Sequence, residues 1–239
     1  MDIQVIASGS SGNCYKISDG KTALLLECGI PFRQLQQALN FKVRDIQGCL
    51  VTHEHKDHCK AIMDVIKAST NIYLSAGTKE ALQLEDNHRL KTVKAMQQFG
   101  IGSWLVLPFD TVHDAKEPLG YLLYSQETKD KLLFATDTYY IKYRFSGLTH
   151  IMVECNYSME SLNGNIYDGI VDEKRKSRLL KSHFELNNCI GFLKANDLSK
   201  VKEIYLLHLS NDNGDAENFK NKVMAATGLP VYIARTTRG

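Results

Sequence analysis

The stretch Thr52-His53-Glu54-His55-Lys56-Asp57-His58 decides how this chain is read. It follows an apolar run, Gly48-Cys49-Leu50-Val51, that reads as a strand, and it precedes Cys59 to Ile66, which reads as a helix. At an extended strand end His53 and His55 project to the same side. The chain then turns, and Asp57 and His58 at the helix start can face a second position. One short loop can therefore supply ligands to two adjacent metal ions, and imidazole with carboxylate suits zinc and its first-row neighbours. A polar loop that gathered histidines by chance is the alternative, and the spacing behind a strand weighs against it.

Three further residues sit where partners of this loop are expected. His113 ends the segment Leu107-Pro108-Phe109-Asp110-Thr111-Val112-His113. Asp137 ends the apolar run from Lys131, and His208 ends Glu203-Ile204-Tyr205-Leu206-Leu207. Strand ends gather at one rim of a sheet. A single histidine there is more often a hydrogen-bonded core residue than a ligand, but these three accompany the opening loop.

With these residues in view the chain resembles the metallo-β-lactamase superfamily over nearly its whole length. The resemblance rests on His53-x-His55-x-Asp57-His58 followed by His113, Asp137 and His208. It implies that His53, His55 and His113 hold one metal, that Asp57, His58 and His208 hold the other, and that Asp137 bridges them. The opening Ala7-Ser8-Gly9-Ser10-Ser11-Gly12-Asn13 resembles the phosphodiesterase side of the superfamily, which includes tRNase Z and the YycJ/WalJ-like proteins. Thr111 to Pro118 and His208 to Asn213 resemble the YycJ/WalJ type as well. One departure stands out: Glu27 occupies the place of the usual aspartate before Cys28-Gly29, a residue that supports the metal loop from behind the ligands.

The 239 residues are 44% hydrophobic and 23% charged with a net charge of +2, ordinary for a soluble enzyme and no demand for a nucleic-acid partner. No run of about eighteen apolar residues occurs, so no membrane-spanning helix is expected. Met1-Asp2-Ile3-Gln4-Val5 has no signal-like character. Six cysteines without C-x-x-C spacing read as reduced thiols of a cytoplasmic protein and argue against a secreted antibiotic-destroying lactamase, and the resemblance implies that it is bacterial or phage-encoded.

Along the chain, Ile3–Ala7, Asn13–Ile17 and Thr22–Glu27 read as strands and Pro31–Leu39 as a helix. Ser103–Leu107, Gly120–Tyr124, Leu132–Thr136 and His150–Glu154 continue as strands. Leu179–Ser182, Asn187–Ala195 and Asp215–Ala226 read as helical, and Val201–Leu207 and Pro230–Ala234 as late strands. Strands and then helices in each half suit an α/β fold, a four-layer αβ/βα sandwich formed by one domain over 1–239. Residues 160–178 show the least periodicity and read as a solvated loop, with a lid or a dimer contact as the functional alternative.

The resemblance implies two zinc ions, with manganese as the other choice, and hydrolysis through activated water. Superfamily members that bind two irons typically carry Glu at the position of His55. Asp57, as a ligand, and His183, as general acid or phosphate contact, are the candidate catalytic residues. Ser210 and Asn213 are candidates for binding phosphate oxygen or for a plain turn, and Glu154 and Asn156 for support near the rim. Near-neutral charge and dispersed basic residues favour a small substrate. The compact phage anti-Pycsar enzymes, homodimers that evade host defence by opening 3′,5′-cyclic nucleotides, supply the expected activity and a homodimer. A YycJ/WalJ-like 5′-exonuclease acting on DNA is the alternative.

Overall fold

A computed structural model describes residues 1–167, 173–210 and 215–235. The chain divides into two compact units: residues 1–110 with 115–130 and 235–239, and residues 111–114 with 131–234.

The first unit contains β1 (Asp2–Ala7), β2 (Cys14–Ser18), β3 (Ala23–Leu26), α1 (Phe32–Ala38), β4 (Ile46–Leu50), α2 (Lys56–Cys59), α3 (Ile62–Lys67), β5 (Asn71–Leu74), α4 (Ala76–Ala81), β6 (Leu90–Thr92), β7 (Phe99–Ile101), β8 (Trp104–Asp110) and β9 (Leu119–Ser125). Strands β1 to β6 pair in chain order, antiparallel as far as β3 and parallel from there. Strands β7, β8 and β9 form an antiparallel ribbon. The core on one side of the six strands joins Leu25, Cys49 and Ile72 to Leu35 of α1 and Val65 of α3. The Tyr121 hydroxyl donates to the Val51 carbonyl at 2.6 Å and the Leu119 amide to Thr52 at 3.0 Å. These bonds set the exit of β4 just before the histidine loop.

Asp19 pins the β2–β3 turn to the ribbon. Its carboxylate accepts from the Ser103 and Ser125 hydroxyls at 2.6 and 2.8 Å and from the Thr22 and Lys21 amides at 2.8 and 3.1 Å. Burial pushes this carboxyl up, but the hydrogen bonds outweigh it and the net shift is below the ordinary 3.8. The folded value lies under the unfolded one, so the stabilisation is complete above about pH 4 and is lost as pH falls through the folded value. Asp19→Ala is expected to lose roughly 2–4 kcal/mol at pH 7, because several donors are left without their acceptor. Urea unfolding at pH 7 and pH 3 checks this: the gap between variant and wild type should narrow in acid, and a constant gap refutes the assignment.

The second unit contains β10 (Lys131–Ala135), β11 (His150–Glu154), α5 (Met159–Tyr167), α6 (Glu173–Ser182), α7 (Leu186–Lys194), β12 (Glu203–Leu207), α8 (Ala216–Thr227) and β13 (Val231–Ile233). Strands β10 to β13 are parallel neighbours in chain order. Every residue of β11 is buried, as a central parallel strand covered on both faces requires. Gly228, at φ 71°, closes α8 in the left-handed conformation.

Two expectations are corrected. The stretch 160–178 is helical wherever it is described, in α5 and α6, with 168–172 outside the described residues. Among the described residues Leu162, Ile166 and Leu179 pack there around Tyr157, an apolar stripe too narrow to register as a period. The helix expected over Cys59–Ile66 is broken into α2 and α3, because the Ala61 amide donates to the Cys28 carbonyl at 2.9 Å.

Candidate metal centre

In the first unit the loop after β4 carries four donors. The Thr52 hydroxyl lies 2.9 Å from His53 Nδ1 and fixes that ring, while His53 Nε2 and His55 Nδ1 face each other at 3.0 Å. Two nitrogens bound at tetrahedral angle to one zinc lie about 3.3 Å apart, so this pair fits one ion. The His58 ring is buried, its centroid 4.1 Å from that of His53, and its Nε2 lies 3.4 Å from Asp57 Oδ2.

Two residues hold this loop from behind. Glu27 is fully buried; it accepts from the Thr52 amide at 3.2 Å and lies 3.5 Å from His58 Nδ1. Burial raises the Glu27 carboxyl, and the His58 and Thr52 contacts oppose the rise. The longer side chain thus reaches both the start of the loop and one of its imidazoles. Asn13 takes the Asp57 carbonyl on its amide N–H at 2.7 Å, and its side-chain nitrogen lies 3.2 Å from both that carbonyl and His58 Nε2.

The chain passes so close at Gly29 that a Cβ there would stand 1.7 Å from the Asp57 carbonyl oxygen. Gly29→Ala is therefore expected to displace the loop and remove hydrolysis and metal uptake together, read by elemental analysis beside an activity assay. A variant with wild-type metal content overturns this.

In the second unit five side chains converge. His113 lies in the bend after Asp110, Asp137 two residues past β10, His208 directly after β12, Glu154 at the end of β11 and His183 after α6. His113 Nδ1 donates to the Ser182 carbonyl at 2.8 Å, which makes Nε2, 3.7 Å from Asp137 Oδ2, the ring's acceptor nitrogen. Burial pushes the His113 imidazole down, against the pull of Asp137, and so keeps it neutral and able to ligate. His208 Nδ1 lies 2.9 Å from Asp137 Oδ1, and the Asn156 side chain donates to the His208 carbonyl at 2.7 Å.

Asp137, Glu154, His183 and His208 each bring one ligand-type atom within 4.8 Å of the others. Buried Glu154 accepts from His183 Nδ1 at 2.6 Å and from the Thr138 and Phe184 amides at 2.7 and 3.3 Å. Burial opposes charge on both partners, yet their mutual attraction wins: the Glu154 carboxyl is lowered and the His183 imidazole raised. Each partner thus favours the charged form of the other.

Glu27, Asp137 and His208 all have positive φ, 65°, 45° and 51°. Non-glycine residues adopt this conformation at a cost of about 1–3 kcal/mol and cluster at functional sites.

The structure thus draws His53, His55, Asp57 and His58 together in one unit, and His113, Asp137, His183 and His208 in the other. Ser210 lies two residues past His208, its amide bonded to the Asn156 carbonyl at 2.9 Å. Asn213 lies outside the described residues. Asn13 had been quoted only as part of a motif, and the sequence reading missed its contacts. Glu154 had been singled out without its partner; a charge closing a wholly buried strand is the signal that it needs one.

Residues 22–208 match the family described as the β-lactamase superfamily domain. The chain is 28% identical over 235 residues to the exodeoxyribonuclease YycJ of Bacillus anthracis, covering 91% of this chain and 85% of the relative. It is 29% identical over 230 residues to the exodeoxyribonuclease WalJ of Streptococcus pneumoniae, covering 89% and 83%. Its fold is similar to that of the metallo-β-lactamase fold protein YhfI of Bacillus subtilis, with a TM-score of 0.75 over 98% of this chain and 95% of that one, at 16% identity. The sheets and helices of the two units match that α/β sandwich fold. No helix among the described residues is long and apolar enough to cross a membrane.

Proposed function

The chain belongs to the β-lactamase superfamily as a metal-dependent hydrolase of that fold, and from that premise we propose that it hydrolyses nucleotide phosphodiesters at the end of a DNA strand. The observation that carries the DNA-end substrate is the similarity to two exodeoxyribonucleases over about nine-tenths of the chain. A second reading, hydrolysis of a 3′,5′-cyclic nucleotide, is favoured by the net charge of only +2, since a long polyanion is normally held by many cations.

In the proposed site His53, His55 and His113 would hold one ion and Asp57, His58 and His208 the other, with Asp137 shared between them. The donor set of imidazoles and carboxylates fits zinc, with manganese as the alternative. Two such ions would supply a nucleophilic water at neutral pH and positive charge for the phosphoryl oxygens. Burial favours the neutral form of His113, and its bond to Ser182 makes Nε2 the nitrogen that would ligate. Glu27 and Asn13 fix the loop that carries His53 to His58. Glu154 accepts a hydrogen bond from His183 Nδ1–H and favours the protonated ring, whose Nε2–H would protonate the departing oxygen. Ser210, with Asn213, would contact the phosphate. The whole of 1–239 acts as one hydrolase domain, a homodimer of the cytoplasm. Its six cysteines, all free and buried, suit a reducing compartment.

One assay separates the two substrates: 5′-phosphorylated duplex and single-stranded DNA beside 3′,5′-cyclic CMP, UMP, AMP and GMP, with metal-loaded protein. DNA degradation from an end is the expected result. Turnover of cyclic nucleotides alone replaces this reading with the second. Elemental analysis is expected to find two metals per chain, and sedimentation a dimer; a protein that never exceeds one metal refutes the shared role of Asp137.

A further inference from the structure

Directly after Asp137-Thr138 comes Tyr139-Tyr140-Ile141-Lys142-Tyr143-Arg144-Phe145, in which aromatic residues alternate with cations. The segment has no regular secondary structure, yet it is pinned along its length. The Tyr139 amide donates to the Val112 carbonyl at 3.1 Å, the Thr138 hydroxyl to the Tyr140 carbonyl at 2.9 Å, and the Phe145 amide to Asn196 Oδ1 at 2.7 Å. Ile141 is buried beneath it, while Tyr139 and Tyr140 remain 40% and 54% exposed.

Across from this segment stand Phe184 and the Asn187, Asn188 and Gly191 face of α7, and between the two walls lies a cavity of about 380 Å³. That volume is in the range of small-molecule and cofactor sites. Both walls begin beside the candidate centre, because Tyr139 is two residues from Asp137 and Phe184 follows His183. Lys142 and Arg144 line the cavity, and no Asp or Glu among the described residues does. A surface that combines exposed aromatic rings with cations is complementary to a polyanion that carries flat bases.

We propose that this groove holds the single-stranded end of a DNA strand, with nucleobases stacked on Tyr139 and Tyr140 and phosphates met by Lys142 and Arg144. The Asn188 side chain, with both donor and acceptor, faces base edges, and stacking makes the grip tolerant of sequence. The inference rests on the phosphodiesterase reading of the neighbouring centre and names how its substrate is presented.

Binding of a phosphorothioate-linked oligothymidylate, which resists hydrolysis, to the metal-loaded protein tests it by fluorescence anisotropy. Tyr139→Ala and Tyr140→Ala are each expected to weaken binding roughly tenfold, the scale of one lost stacked base. Arg144→Gln should flatten the dependence of log affinity on log salt by about 0.7. Gly191→Trp supplies a variant that keeps all four groove cations and rings: a Cβ there meets nothing within 4 Å, so the helix tolerates it while the indole fills the groove. It should weaken binding at least as much. On single-stranded DNA the tyrosine variants should raise KM and leave kcat near wild type.

If all four variants bind as wild type does while the wild type degrades DNA, the groove is wrong and the DNA-end reading stands. If binding depends on the tyrosines but only cyclic nucleotides are hydrolysed, the groove stands and the DNA-end reading falls. A wild type that does not bind the oligonucleotide overturns the groove.

Discussion

Asp57→Ala is expected to lower phosphodiester hydrolysis on the order of a thousandfold, beyond the ten- to hundredfold typical for loss of a group behind the ligands. It should leave the melting temperature almost unchanged. The Asp57 side chain keeps 23% of its surface exposed. What fastens the loop at this point is the Asp57 carbonyl, which accepts from the Asn13 amide at 2.7 Å and from its side chain at 3.2 Å. Alanine retains that carbonyl. His58→Ala is a different substitution. The His58 ring has no solvent exposure and stands between Glu27 and Asn13. Its removal leaves a buried carboxylate without its imidazole, and the expected loss is roughly 3–5 kcal/mol in addition to the loss of activity. Thermal denaturation, metal content and turnover on all three proteins separate these outcomes. Asp57→Ala with full metal and wild-type turnover removes Asp57 from the ligand set, and global unfolding of that variant makes the metals structural.

Which parts of the site could be read from the sequence follows from how far apart the cooperating residues lie. His53, His55, Asp57 and His58 share one loop, so a strand-end geometry suffices to pair them. Buried runs such as His150–Glu154 were equally legible as strands, whereas β5, β6 and β7, only three or four residues long, were too short to show a pattern. Asn13 acts on residues 44 and 45 positions away, and nothing local announces that an asparagine in a Gly-Ser turn reaches there. Glu154 and His183 are 29 positions apart. The positive φ of Glu27, Asp137 and His208 carries no sequence signal either, since none is glycine. Helix α5 escaped notice because Asn163-Gly164-Asn165 disfavours helix. Leu162 packing with Tyr157 overrides that preference.

The loop Ser182-His183-Phe184 engages the candidate centre three times: the Ser182 carbonyl holds His113, the His183 ring meets Glu154 at 2.6 Å, and the Phe184 amide reaches the same carboxylate. His183→Ala is expected to lower kcat by roughly 10²- to 10⁴-fold, the range for a lost general acid. Glu154→Gln should cost less, because the ring keeps a hydrogen-bond partner but loses the charge that favours its protonated form. The leaving group discriminates between the two roles open to His183. A nitrophenolate departs without a proton, so on bis(p-nitrophenyl) phosphate the deficit of His183→Ala should largely vanish, while on a nucleotide ester, whose alkoxide must be protonated, it should remain. An equal deficit on both substrates assigns His183 to holding phosphate instead. A Glu154→Gln enzyme as fast as wild type on the nucleotide ester would mean that burial alone orients the ring and that the carboxylate is dispensable to proton delivery.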